Sequence, residues 1–298
     1  RFGATPSPKL SQIAAFLAVD KGWRRVLKRN KPKVNGWLFV EPERMHPIAA
    51  AKSWQLPEIT TQGQMAQWCG VSSRELSWLA DMRSHHACGS EAEAGAPASH
   101  YRNHFVRKRS GIRESPDSPV TETQAVQLHA AGGKVRLIEA PKRKLKSLQR
   151  SILFEIVDRV PPHLACFGFR QGSSILDYVA PHIGKCSVLK MDLRDFFPSI
   201  TFKRVYAVYA SLGFPHSIAQ LLTKLSTTAT PYELWEGCQA TQHLRYLQSL
   251  YTVRHLPQGA PTSPALANLV AYRLDCRLSG LAQRVGVDYT RYADDLAF

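Results

Sequence analysis

Apolar positions change their spacing several times along this chain, and each change predicts a different element. Over 9–29, Leu10, Ile13, Phe16 and Leu17 recur at helical intervals ahead of a basic tail after Trp23, which predicts an amphipathic helix. Residues 60–83 predict two short helices around a turn at Gly70. The second is opened by Ser72 and Glu75 at capping-box spacing and carries Leu76 and Leu79. The pair reads as a small helical subdomain with Trp68 and Trp78 in its core, and a DNA-binding helix-turn-helix is the alternative. The stretch 88–99 is small, polar and broken by Pro and Gly, which predicts an exposed linker.

From His100 the pattern becomes basic and extended. HYRNHFVRKRSG and KVRLIEAPKRKLKSLQR predict two basic strands running into a basic helix, and the polar stretch 112–132 between them predicts an enlarged hairpin tip. Leu145, Leu148, Ile152 and Ile156 line one face of a helix over 142–160, which Pro161 and Pro162 stop. Further on we expect a helix after Gly172, a strand over 187–192, helices near 201–211 and 215–226, then an irregular stretch, a long helix over 263–285 and a strand entering YADDLAF. Helices and strands mix without a regular alternation, so the expected class is α+β, with no internal repeat. The domains expected are a helical region over 1–88, a linker over 89–99 and a main domain over 100–298.

Composition narrows the function. A hydrophobic share of 44% and a charged share of 21% describe a globular chain, and no apolar run approaches a membrane span. The chain starts at Arg1 with no secretion signal and no initiator Met, so we expect its natural start to lie upstream, and a cytoplasmic setting. The 6 cysteines are scattered without a CxxC pair, which argues against a disulfide framework or a cysteine-rich zinc site. His85, His86 and Cys88 are zinc-type ligands lacking an evident fourth partner, and solvated loop side chains are the plainer expectation. The net charge of +16, from 39 basic against 23 acidic residues, draws polyanions by releasing their condensed counterions.

The chemistry concentrates late in the chain. In SVLKMDLRDFFPSI, the strand Ser187–Asp192 is apolar apart from Lys190, so its interior is expected to be buried, yet it ends in Asp192. In VDYTRYADDLAF, Asp294 and Asp295 lie between two apolar half-strands and need a tight turn to place them. Carboxylates gathered at one sheet edge suit Mg²⁺, which takes oxygen ligands and shares them with substrate phosphates; two such ions stabilise an in-line phosphoryl displacement. Between the two lies HLPQGAPTSPALANLVAYRLD, a Gln-Gly turn followed by a helix whose small residues Ala265, Ala267 and Asn268 allow a flat base pair to approach.

MDLRDFF, LPQGAPTSP and YADD, in that order, closely resemble the three palm motifs of reverse transcriptases. RLIEAPK and the basic helix resemble the fingers motifs of that family. PPHLACFGFRQGSSILDYVAPHIGK is similar to the bacterial retron reverse transcriptases, which copy part of their own structured RNA into attached DNA. The resemblance implies a right-hand polymerase fold, with fingers and palm over 100–298 and a helical N-terminal region. It implies RNA-directed DNA synthesis on an RNA template from deoxynucleoside triphosphates, with two Mg²⁺ ions (Mn²⁺ as a substitute), a structured non-coding RNA, and an accessory effector protein as a further partner. Asp192, Asp294 and Asp295 fall on the catalytic metal-binding positions and the Leu193 carbonyl on a further metal contact. Phe197 falls on the aromatic gate against a 2′-hydroxyl, with Phe196 as core by contrast. Gln258 and its turn residue Gly259 fall beside the incoming nucleotide, and Arg136 and Lys142 on the triphosphate grip. Arg143, Lys144 and Lys146 are expected on the nucleic-acid backbone, with His182 as the remaining match to a retron Asn-Ala-x-x-His element.

Where the chain departs from the pattern, the alternatives stay open. Tyr178-Val179-Ala180-Pro181-His182 keeps only the histidine of that element, and the hairpin over 112–132 is long for the family. Related enzymes of the group II intron or phage-defence kind, and an inactive RNA-binding fragment, are the other readings. The sequence ends at Phe298 just after the aspartate pair, so the thumb is expected to be absent.

Overall fold

The structure, a computed structural model, describes residues 43–81, 100–107, 135–236, 238 and 241–298, with Ala15, Ala18, Val19, Arg24 and Arg25. Those five isolated residues are helical; the rest of the helix expected over 9–29 lies outside the described residues. So do the linker 88–99, the hairpin tip 112–132, and the His85, His86 and Cys88 group. The chain divides into two compact units, 1–43 and 44–298, and the second holds both sheets and the aspartates.

After a 3-10 helix at Ala49–Trp54, two short α-helices follow in this unit, α1 (Gln62–Trp68) and α2 (Ser73–Leu79). Both are held by their N-caps, though not as the spacing predicted. The reciprocal capping box belongs to α1: the Thr61 hydroxyl accepts from the Gln64 amide while the Gln64 side chain accepts from the Thr61 amide. At α2, Ser72 accepts from the Glu75 amide, but the Glu75 carboxylate turns away to Lys144 Nζ at 2.6 Å. Met65, Leu76 and Leu79 are buried in the same core as Leu145, Ile152 and Leu222, so the pair is part of the main body and not a separate subdomain. Trp68 packs at the edge of that core, whereas Trp78 lies outside it, partly exposed, and meets the His100 ring edge-on at 4.4 Å.

β1 (Tyr101–Arg107) and β2 (Val135–Pro141) form the expected antiparallel hairpin, in register from Tyr101↔Pro141 to Arg107↔Val135. β2 runs into α3 (Arg143–Ile152), where Leu145, Leu148 and Ile152 are buried as their spacing predicted. The helix does not continue regularly to 160. Leu153–Val157 widens into a π-helical turn, with the Asp158 amide reaching the Leu153 carbonyl at 2.8 Å.

α4 (Ile175–Val179) follows Gly172. Then come β3 (Lys190–Asp192), α5 (Phe196–Ser199), α6 (Phe202–Ser211), α7 (His216–Ser226), α8 (Gln242–Tyr251) and the long α9 (Ser263–Val285). β4 (Thr290–Tyr292) and β5 (Asp295–Ala297) close the chain. The second sheet has the order β3-β5-β4, both pairings antiparallel, with β5 central. Elements of both kinds pack around one principal core, which fits the α+β class.

One expectation is corrected by this sheet. Ser187–Asp192 is exposed rather than buried: Val188, Leu189 and Met191 are each at least 49% accessible. The reason is position. β3 and β4 are both edge strands, but β4 is buried beneath the Asp275 segment of α9, whereas the apolar side chains of β3 are left largely uncovered among the described residues. No helix among the described residues is long and apolar enough to cross a membrane.

Candidate active site

β5 gathers the acidic residues, because its pairing with β3 sets Asp192 opposite Asp295 and its pairing with β4 sets Tyr292 opposite Asp295. The β4–β5 connection is therefore the two-residue turn Ala293-Asp294. Ala293 takes φ 57°, a positive value at the first turn position that a tight antiparallel hairpin favours and an L-residue adopts only at some cost. The Leu193 amide donates to the Asp294 carbonyl at 2.9 Å, tying the turn to the end of β3.

That arrangement brings Asp192, Leu193 and Asp294 to one small polar cavity of about 80 Å³, together with Arg136, Phe197 and Gln258. Two of its other walls, Asp195 and Tyr251, were not anticipated from sequence. Burial pushes the Asp294 carboxyl above the ordinary carboxylate range, and the charges of Asp192 and Asp295 push the same way; its own backbone N–H and Arg136 pull against them. Asp295 is turned aside, its carboxylate 3.1 Å from Lys190 Nζ. Among the described residues, no three His, Cys, Asp or Glu side chains stand close enough to hold a metal ion unaided. The donor set still fits a divalent cation. Two carboxylates facing one cavity, one of them disfavoured as an anion, are what an oxygen-seeking ion relieves, with substrate phosphates completing its shell.

The loop after β3 sets the aromatic wall. Asp195 sits in the left-handed region at φ 49° and starts α5, accepting a bond from the Tyr246 hydroxyl at 2.9 Å. Arg194 lies over the Tyr246 ring at 4.5 Å. Phe196 is buried in the core and Phe197 half-buried against it, both bordering the cavity, with the Phe169 ring 6.3 Å from that of Phe197. A signal for Asp195 was present in its spacing, three residues after Asp192 in MDLRD; Tyr251 gave none, since the stretch between 226 and 263 reads as irregular in sequence, and α8, which carries it, was not predicted.

Gln258, which also lines the cavity, is fixed by its backbone. Its carbonyl accepts from the Glu139 amide of β2 at 2.8 Å. Gly259, at φ 120°, makes that approach feasible, because a Cβ there would lie 2.9 Å from the Ile138 side chain. The small-residue face of α9 does not form the open surface read from sequence: Ala267 and Asn268 are buried, with Asn268 donating to the Gly168 carbonyl at 2.8 Å. His255 Nε2 lies 2.8 Å from Glu139, whose other oxygen accepts from Thr230 at 2.7 Å, all three buried.

The remaining sequence-marked residues scatter. Lys142 is exposed at the start of α3, outside the cavity, its amide donating to the His100 carbonyl. Arg143 and Lys146 are exposed on α3 beside Lys144, whose ammonium is engaged by Glu75. His182 bonds the Thr290 hydroxyl at 2.7 Å and so packs its segment onto β4.

Residues 128–298 match the family described as reverse transcriptase (RNA-dependent DNA polymerase). The chain belongs to that family. Among curated relatives, it is 47% identical over 175 residues to the retron Mx65 reverse transcriptase of Myxococcus xanthus, covering 56% of this chain and 38% of that protein. It is 36% identical over 253 residues to the retron Mx162 reverse transcriptase of the same organism, covering 85% and 44%. With the retron Ec86 reverse transcriptase of Escherichia coli it shares 40% identity over 163 residues, covering 55% and 43%. The chain thus spans less than half the length of these relatives.

Proposed function

We propose that this chain carries the catalytic centre of a retron-type RNA-directed DNA polymerase, with β1, β2 and α3 as fingers and the β3-β5-β4 sheet with α6, α7 and α9 as palm. The observation that carries this reading is the single cavity shared by Asp192, Asp294, Phe197, Gln258 and Arg136, drawn from four separated segments. Reverse transcriptases generally use divalent metal ions, and Asp192, Asp294 and the Leu193 carbonyl would hold them here, with Asp295 joining once Lys190 releases it. Such ions supply charge stabilisation for the attacking and leaving oxygens of phosphoryl transfer.

The chain's own residues do the positioning. Arg136 presents a planar fork to the triphosphate at the cavity mouth, where its positive charge is already felt by Asp294. Phe197 sets its ring where a sugar lies and excludes a 2′-hydroxyl by collision. Gln258, held through its backbone by β2, borders the nucleotide. The exposed Arg143 and Lys146 neutralise phosphates of the template–primer without reading sequence. A structured RNA as template is suggested by the retron relatives and belongs to the same proposal.

The test is primer extension with deoxynucleotides and Mg²⁺ on matched RNA and DNA templates, beside Asp192→Asn and Asp294→Asn. We expect RNA-templated synthesis that each substitution abolishes. Synthesis surviving both substitutions would overturn the assignment of the centre.

A further inference from the structure

Behind the aspartate turn lies a buried ion pair to which neither the sequence motifs nor the proposed chemistry assigns a task. Arg291 on β4 and Asp275 in the middle of α9 are each fully buried. Their contact is bidentate: Arg291 Nε donates to one Asp275 oxygen and a terminal nitrogen to the other, both at 2.7 Å. The remaining terminal nitrogen donates to two further acceptors, Asn268 Oδ1 at 3.1 Å and the Ala293 carbonyl at 2.9 Å. Tyr289 adds a hydroxyl donor to Asp275 at 2.9 Å. Every one of these guanidinium acceptors belongs to α9 except one, and that one is the backbone of the residue before Asp294.

A buried ion pair is weak evidence for stability, since apolar residues of similar volume do as well or better. Its geometry here points to another use. Ala293 adopts a positive φ without glycine's freedom, so the turn needs outside support to stay in that conformation. Support comes from two sides. Gly168 packs so closely that a Cβ would lie 2.5 Å from the Ala293 amide nitrogen, and the Gly168 carbonyl is held by Asn268, the same side chain that accepts from Arg291. Arg291 grips the Ala293 carbonyl as the second support.

We infer that Arg291, anchored by Asp275, is a positioning residue that locks the Ala293-Asp294 turn and so aims the Asp294 carboxylate into the cavity. This rests on the catalytic reading of Asp294. A planar fork with fixed donor directions suits this set; the single nitrogen of an ammonium cannot stand in for all three guanidinium nitrogens, so it cannot reproduce the bidentate Asp275 contact together with the Ala293 bond. Small misplacements at a centre that works by positioning are costly in rate while leaving distant binding contacts untouched.

Arg291→Lys keeps the charge and Asp275→Asn keeps the volume, so the two variants divide the device between them. In Arg291→Lys, kcat for primer extension should fall about tenfold or more with the deoxynucleotide KM within about threefold of the parent, because Arg136 and Gln258 are unchanged. Amide hydrogen exchange, read without any nucleotide or metal, should rise in the peptide covering 290–298 and not in α6 or α7. Asp275→Asn, which leaves the buried guanidinium without its counter-charge and sets an amide N–H against one of its donors, should show the same pattern at least as strongly. Variants that match the parent in kcat and in exchange at 290–298 would overturn the inference. So would exchange raised uniformly across α6, α7 and the sheet, or KM rising in step with the loss of kcat, since both describe general loosening. The unaltered protein separates this from the function itself: failure of the parent to extend a primer counts against the polymerase reading, while the exchange pattern still decides the role of Arg291.

Discussion

The Leu193 amide donates to the Asp294 carbonyl at 2.9 Å, so the end of one exposed edge strand is stitched to the turn of a hairpin formed far later in the chain. The bond lies one step beyond the Asp192↔Asp295 pairing, and it is what lets Asp192 and Asp294 share a cavity instead of opposite faces of the sheet. Backbone pairing thus does the assembling, and the carboxylates are carried into a place their own charges oppose.

That opposition gives a prediction about stability. The Asp294 carboxyl is raised by burial and by its acidic neighbours, so the folded state favours its neutral form. The stability associated with this group is present at low pH and is lost as pH rises from the unfolded carboxyl range through the raised folded value. Without divalent ions, Asp294→Asn should therefore raise the melting temperature at pH 7, by roughly 1–3 °C, and leave it unchanged near pH 3. Thermal melts in chelator at both pH values check this; a lowered melting point at pH 7 would mean that the carboxylate is already compensated by other groups.

Phe197 makes the claim about substrate choice. Phe196 and Phe197 both line the cavity, but Phe196 is buried and Phe197 only half-buried, so Phe197 is the more open of the two rings to a sugar. Phe197→Ala should leave deoxynucleotide incorporation largely intact and relax discrimination against ribonucleotides by about 10- to 100-fold, the scale on which pocket volume discriminates. Competing incorporation of paired deoxy- and ribonucleotides measures the ratio. A variant with undiminished discrimination would place the gate elsewhere.

How much of this was legible beforehand depended on whether the determining interactions were local. The hairpin β1–β2, the apolar face of α3 and the span of α9 can be read from spacing alone, since each is written in consecutive residues. The π turn after Ile152 was not, because one added residue per turn leaves Ile156 buried and the apolar pattern almost unchanged. The exposure of Ser187–Asp192 was also hidden: an apolar run states that a strand prefers cover, not whether another layer supplies it. At the site, Asp192, Asp294, Phe197, Gln258 and Arg136 were marked by motif and do converge. Tyr246, Tyr251 and the Arg291–Asp275 pair were invisible, because their roles arise from partners distant in sequence. The Lys190–Asp295 contact escaped for the same reason.

The basic helix α3 predicts a graded response to salt. Arg143 and Lys146 are exposed, whereas the Lys144 ammonium lies 2.6 Å from Glu75. Each phosphate contact removed should flatten the log–log dependence of template–primer affinity on salt by about 0.7–0.9. Arg143→Gln and Lys146→Gln should each approach that change, and Lys144→Gln should fall well short of it. Equal slopes for all three would show that Glu75 gives up Lys144 when nucleic acid arrives.

Lys190 offers a test of the third aspartate. Its ammonium lies 3.1 Å from Asp295, and that partner raises the Lys190 pKa, so the lysine stays charged across the neutral range. Both side chains are substantially exposed, so the contact is worth at most about 1 kcal/mol. A divalent ion recruiting Asp295 must displace this lysine, and a positive charge beside the site also repels the ion. Lys190→Ala removes both obstacles. Mn²⁺, read directly by the loss of its free-ion electron spin resonance signal, should then bind more tightly, by about two- to fivefold for an energy of that size. Asp295→Asn made together with Lys190→Ala should erase the gain. Unchanged affinity in Lys190→Ala would mean that Asp295 takes no part in holding the ion, leaving Asp192, Asp294 and the Leu193 carbonyl as the donors this chain supplies.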